Sequence, residues 1–271
     1  MSKSLSYNRH GFTLVLLSIC LMVIVFLGIT LSTVLNSNYV KKVVSSETNV
    51  TLIRNYTNQR LGRLVNSYSV SSNLSAVTLT NNDVKKIIST SVDEVYNDDA
   101  QLTVGSAILA TISSKLKKEA QQYGLNIDGE IDTVIHSNEG IMNQIVNNDL
   151  GQIERVIGKI QTIKRLIKVL MVVSAVIFVL LSIRLRIMVG SSMLFFHHLG
   201  TVGICTSILL ALLMGCTYYP LQDLIASNID YNIRDVLYNV LNGILLSYIS
   251  IIFMVFIVSL LEWGSTTKYK Y

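Results

Sequence analysis

The residues best suited to metal chemistry lie between positions 126 and 139: Asn126, Asp128, Glu130, Asp132, His136 and Glu139. On a helix, Asp132, His136 and Glu139 follow one another at steps of four and three and so share a face. An imidazole flanked by two carboxylates is chemistry that zinc or manganese accepts. A calcium loop starting at Asn126 is excluded by its own register. The sixth position is Ile131 where glycine is needed, and the twelfth is Ser137 where glutamate is needed. The expectation is a solvated polar face at a helix start. Asp132, His136 and Glu139 are the candidate ligands, and no resident metal or cofactor is expected. A second acidic group, Asp93, Glu94, Asp98 and Asp99, reads as a helix end and turn.

Catalytic patterns are scarce. The chain has no glycine-rich phosphate loop, no HExxH and no GxSxG. Its three cysteines, Cys20, Cys205 and Cys216, all fall in apolar blocks, which leaves the polar segments without thiolate sites or disulfides. The tripeptides Asn49-Val50-Thr51, Asn55-Tyr56-Thr57 and Asn73-Leu74-Ser75 match the N-glycosylation acceptor. A composition rich in Asn, Ile and Lys with one proline points instead to an AT-rich bacterial genome, in which such matches arise by chance. A non-enzymatic protein is expected.

The elements that must carry these residues follow from hydropathy. The 271 residues are 51% hydrophobic and 14% charged, with a mean hydropathy of +0.50. Soluble domains carry about 25% charged residues. The apolar excess sits in blocks at 11–35, 169–183, 199–218 and 241–261. A helix needs about 20 apolar residues to cross the hydrocarbon core. The second block is shorter and spans if Lys168 and Arg184 snorkel to the interfaces. The first block is longer than a signal-peptide core and lacks a small-residue cleavage site, so a retained anchor is expected. Gly11-Phe12-Thr13-Leu14 resembles the start of a type IV pilin processing motif. Leu16 stands where pilins have glutamate, and pilins have one apolar helix, so that reading is set aside.

The predicted fold class is an all-α membrane protein. It has four transmembrane helices and a helical extracytoplasmic domain inserted between the first and second. The segments are 1–10 (cytoplasmic N-terminus), 11–35 (first span), 36–165 (extracytoplasmic domain), 166–188 (second span) and 189–198 (cytoplasmic link). They continue as 199–218 (third span), 219–240 (outer amphipathic link), 241–261 (fourth span) and 262–271 (cytoplasmic tail). Orientation comes from charge. Lys3, Arg9, Arg184, Arg186, Lys268 and Lys270 lie in short segments, against Glu262 alone. The positive-inside rule therefore puts both termini in the cytoplasm and residues 36–165 outside. That long segment holds 14 Lys/Arg and 13 Asp/Glu, so the net charge of +5 is a topology signal and nucleic acid is not an expected partner.

Helical periodicity runs through the polar segment. Val40, Val44, Leu52, Ile53, Tyr56, Leu61 and Leu64 form a loose stripe expected to extend the first span. Val84, Ile87, Ile88, Val92 and Val95 share a face after the polar start Asn81-Asn82. Residues 102–123 and 131–146 are further candidates. Val156, Ile160, Ile163, Ile167 and Leu170 step by four and three, a heptad seam leading into the second span. Within the spans, Gly203, Ser207, Ala211 and Gly215 are each four apart, a ridge of small residues that lets another backbone approach. Gly28/Ser32 and Gly243/Ser247 are shorter versions. No span carries an ionisable residue at mid-depth or a proline break, as coupled transporters commonly do.

One membrane helix, a helical domain of about 130 residues and a second membrane helix resemble, over residues 11–186, the input half of bacterial chemoreceptors. The likeness is architectural, without a diagnostic motif, and no output domain follows Arg186. The reading that fits all of this is an accessory or scaffold subunit of a cell-envelope complex in a bacterial plasma membrane. Its expected partners are the lipid bilayer and either a membrane protein or further copies of itself. The alternatives are an extracytoplasmic sensor signalling laterally through the membrane, and a small transporter or channel subunit.

Overall fold

The computed structural model describes residues 2–67, 78–97, 110–115, 160–229 and 231–269, with isolated positions at 117–118, 121, 128–129, 132–133 and 136. Every regular element among these is helical. In chain order they are α1 (Ser2–Ser32), α2 (Ser37–Val44), α3 (Glu47–Ser67), α4 (Asn81–Tyr96), α5 (Ile160–Val189), α6 (Ser192–Asn228) and α7 (Tyr231–Thr266), closed by a short 3-10 turn, Thr267–Tyr269. Four of them, α1, α5, α6 and α7, are long and apolar enough to cross a membrane. The protein is therefore a membrane-embedded all-α chain.

The chain divides into two compact units. The first comprises Met1–Asn36, Lys164–Ser227 and Leu241–Tyr271; the second comprises Ser37–Ile163 and Asn228–Val240.

In the first unit, α1 is shared between two clusters. Leu17 packs with Leu185 and Val202, flanked by Leu14, Leu21, Phe178 and Phe195. Ile29 packs with Leu210, Tyr248 and Ile252, flanked by Met22 and Phe26. The N-terminal half of α1 thus meets α5 and α6, and its C-terminal half meets α6 and α7. Hydroxyls join the helices inside this packing. Thr206 Oγ1 donates to the Ser18 carbonyl at 3.0 Å, and Tyr248 Oη pairs with Thr30 Oγ1 at 2.6 Å. Thr206 and Ser18 are both buried. With no water in the hydrocarbon region, such groups must find protein partners. By contrast α5 buries only Ser174 and Leu185 along its whole length.

Two helix boundaries differ from the sequence expectation. The first span does not run on into residues 39–66. It stops at Ser32, turns through Thr33–Leu35, and restarts as α2 and then α3. Thr30 and Thr33 turn their hydroxyls back onto the carbonyls of Phe26 and Ile29 at 2.8 and 2.7 Å. The Leu35 amide reaches the Thr30 carbonyl in a wide closing turn at 3.0 Å. Back-bonding of this kind weakens helix continuation. The second difference concerns 219–240, which is not an element of its own. Here α6 continues through Pro220 to Asn228, and α7 begins at Tyr231. The third span therefore does contain a proline. Pro220 supplies no N–H to the Cys216 carbonyl. Side chains hold the helix pair together at this level. Tyr218 Oη donates to Asn242 Oδ1 at 2.8 Å, and Gln222 Nε2 donates to Tyr218 Oη at 2.6 Å. Similarly, only Gly190 and Ser191 separate α5 from α6, with Gly190 at φ 72° in the left-handed region that stops a helix.

The second unit is built on α4, against which α2 and α3 pack. Thr80 is its N-cap and Asp83 completes a capping box, so the cap lies one residue ahead of the Asn81-Asn82 start expected from sequence. Val84, Ile88 and Val92, spaced by four, are buried with Val50, Leu79 and Ile112. Burying each such side chain stabilises the unit by about 1.5–3 kcal/mol. Asn49, also buried, gives Nδ2 to the Val43 carbonyl at 3.0 Å, which accepts from the Ser46 amide at 3.3 Å as well, so the end of α2 is closed by two donors. Its Oδ1 accepts from Asn239 Nδ2 at 2.9 Å, which ties the start of α7 into this unit.

Candidate functional site

The ridge of small residues on α6 divides into two halves with different roles. Gly203 and Ser207 are buried, and Ala211 and Gly215 are exposed. A Cβ placed on Gly203 would collide with the Ser259 side chain of α7. One turn earlier, a Cβ on Gly200 would stand 2.8 Å from the Trp263 amide nitrogen and 2.9 Å from the Ser259 carbonyl. Gly200 and Gly203 are thus where the α6 and α7 backbones come together. Gly200 was not part of the ridge read from sequence, because it lies three residues before Gly203 instead of four. Trp263 closes this end by stacking on buried His197 at 5.6 Å between centroids, and Thr266 Oγ1 lies 3.3 Å from His197 Nδ1.

Farther along, the two helices leave an open groove of about 530 Å³. Ala211 and Gly215 form part of its floor, with Ile208 and Met214 beside them and Ile249 and Phe253 across from them. Nothing lies within 4 Å of a Cβ placed on Gly215. The lining is almost entirely apolar and includes Tyr218, whose hydroxyl is bonded to Asn242. Cys216, next to Gly215, is exposed and free. Chemically this groove can hold an apolar chain or helix. It offers no nucleophile–base pair.

The shorter ridges behave differently. Gly28 has open space around it, and Ser32 is exposed with its hydroxyl on the Ile29 carbonyl at 3.0 Å. Ser247 Oγ likewise bonds back to the Gly243 carbonyl at 3.2 Å. In the seam, Ile160 and Ile167 are half-buried while Ile163 and Leu170 are exposed; Val156 lies outside the described residues. Of the metal candidates, Asp132 is exposed and paired with Lys117 at 2.7 Å, His136 is exposed, and Glu139 lies outside the described residues. Among the described residues no group of three potential ligands is close enough to hold a metal ion.

A second, polar cavity of about 360 Å³ lies in the other unit, between α4 and helical residues 110–115. It was not anticipated from sequence, because it needs two segments brought side by side. Asp83 sits on its wall. Burial raises the pKa of this carboxyl, but hydrogen bonds from Lys115 and from the Thr80 hydroxyl and amide, together with the Lys115 charge, outweigh it. The net result is a pKa below the ordinary aspartate value.

No protein-family model matches this chain, and no curated protein or solved structure matches it either. Its function has to be argued from these two features.

Proposed function

We propose that this is a non-enzymatic accessory or scaffold subunit of a cell-envelope complex, which receives a transmembrane helix of a partner protein in the α6/α7 groove. The observation that carries the reading is the exposed half of the ridge. Ala211 and Gly215 keep the backbone accessible in an apolar groove. Helix association in lipid has no hydrophobic driving force and relies on such close backbone approach. The partly covered seam Ile160–Ile163–Ile167–Leu170 supports a packing role as well. In this reading the protein sits in a bacterial plasma membrane with both termini cytoplasmic and residues 36–165 outside, as the charge distribution favours.

The test is purification from native membranes in mild detergent, with a tag after Tyr271, combined with thiol crosslinking from Cys216. A membrane protein recovered in stoichiometric amount and crosslinked at Cys216 supports the reading. Substituting Gly215→Leu fills the groove without touching the Gly200/Gly203 contact, and should abolish both. Recovery of the chain alone, or a partner insensitive to Gly215→Leu, overturns it.

The alternative of an extracytoplasmic sensor is favoured by one specific observation, the polar cavity beside α4. No groove or cavity described above favours the transporter or channel reading.

A further inference from the structure

We infer that the polar cavity between α4 and residues 110–115 is a binding site for a small hydroxycarboxylate anion. The inference is independent of the helix-docking role, which uses other residues in the other unit.

The cavity wall combines two helix faces. Asp83, Lys86 and Thr90 step along α4, and Thr111, Ser114 and Lys115 step along the facing segment. Asp83 to Thr90 covers about 10 Å of helix axis, which limits the ligand to a few heavy atoms in length. A volume of about 360 Å³ is at the small end of ligand pockets.

The charges in the wall are not equivalent. Lys115 is committed: its ammonium pairs with Asp83 Oδ2 and donates to the Thr78 carbonyl at 3.0 Å. Asp83 Oδ2 also accepts from the Thr80 amide and hydroxyl at 2.7 and 2.6 Å. All of these contacts fall on one carboxylate oxygen, and among the described residues no donor is directed at Oδ1. Lys86 has no ion-pair or hydrogen-bond partner among the described residues, and neither do the hydroxyls of Thr90 and Ser114. Among the described lining residues two lysines stand against one aspartate, a balance of one positive charge, and the lysine without a partner there is Lys86.

This inventory selects a ligand class. A carboxylate matches the free Lys86 ammonium and accepts from the Thr90 and Ser114 hydroxyls. A hydroxyl on the neighbouring carbon donates to Asp83 Oδ1. A single negative charge neutralises the wall, whereas a phosphate dianion would overcompensate it and press against the Asp83 carboxylate. The Ile87 and Ala110 side chains contribute an apolar surface for the ligand's carbon atoms.

The experiment uses the full chain in lipid nanodiscs, with D-glycerate, L-lactate and D-lactate as probes and inorganic phosphate and methyl lactate as comparators. Binding is read by saturation-transfer NMR and by the shift of the thermal unfolding midpoint. The expected result is saturable binding of at least one hydroxycarboxylate, with phosphate weaker and the neutral ester inert. Lys86→Ala should weaken binding about ten-fold, the value of one charge-assisted hydrogen bond. Thr90→Val, nearly isosteric, should weaken it by a smaller factor. Lys86 is exposed, so its variant should keep the helical content and unfolding midpoint of the unliganded parent; this is checked by circular dichroism. Three results overturn the inference: no saturable binding of any probe up to about 10 mM, the weak edge of a specific site; tighter binding of phosphate than of every hydroxycarboxylate; or binding unchanged by Lys86→Ala.

Discussion

Gly200→Ala is the sharpest perturbation available in the membrane unit. The added methyl would meet the Trp263 nitrogen at 2.8 Å, the Ser259 carbonyl at 2.9 Å and Trp263 Cα at 3.0 Å. These are backbone atoms, so no rotamer change relieves them. Restoring contact at about 3.5 Å requires α6 and α7 to separate by roughly 0.5–0.7 Å. A gap of that size forfeits a quarter or more of each neighbouring dispersion contact. Overpacking of this kind typically costs about 1–3 kcal/mol. The intrinsic gain of alanine over glycine in a helix offsets about 0.5–1 kcal/mol of it. Gly215→Ala is the matched control. It adds the same methyl on the same helix with nothing within 4 Å, so only the propensity gain applies. The two variants should therefore differ by about 1–3 kcal/mol, with Gly200→Ala the less stable. Unfolding in mixed micelles can be followed through Trp263, the single tryptophan, which lies at the contact itself, with helical circular dichroism as an independent probe. Equal stability of the two variants within about 0.5 kcal/mol would refute the assignment of Gly200 as a backbone contact point.

Further outcomes follow from the same geometry. Tyr248→Phe removes the 2.6 Å bond to Thr30 and should cost about 0.6 kcal/mol, the usual worth of an interhelical hydrogen bond in a membrane protein, measured in the same micelle titration. Asn49→Ala and Asn239→Ala should show a coupling of about 0.5–1.5 kcal/mol in a double-mutant cycle, and additivity would remove the Asn49–Asn239 bond as a link within the second unit. Asp83 has a folded-state pKa lowered from 3.8, so its contribution is fully present above that value and is lost as pH falls through the lower folded value. Acid unfolding of the second unit should therefore steepen below about pH 4, and Asp83→Asn should remove that part of the pH dependence.

The span positions were legible because the bilayer imposes a one-dimensional requirement. A run of apolar residues long enough to cross it is visible without knowing any contact, and α1, α5, α6 and α7 lie on the four blocks. The α4 core stripe was legible for a similar reason, since Val84, Ile88 and Val92 repeat with the helix period. Helix ends were less legible. The third span was read as 199–218, yet α6 runs on through Pro220 to Asn228, with Tyr218 joined to Asn242 of α7 at that level.

The sequence alone thus determined which segments are apolar enough to span a membrane, that Val84, Ile88 and Val92 share a helix face, and that small residues recur along α6. Those are properties of a residue and its near neighbours in the chain. Only the tertiary structure decided what the small residues do. Gly203 and its missed neighbour Gly200 are spent on the α7 backbone, while Ala211 and Gly215, of the same type and spacing, line an open groove. The two groups differ in the distance to residues of α7 far along the chain, and no local periodicity encodes that distance. The same holds for the polar cavity. Asp83, Lys86 and Thr90 read as an ordinary solvated helix face until residues 110–115 are laid against them, because a binding wall is a property of two surfaces and the sequence displays them one at a time.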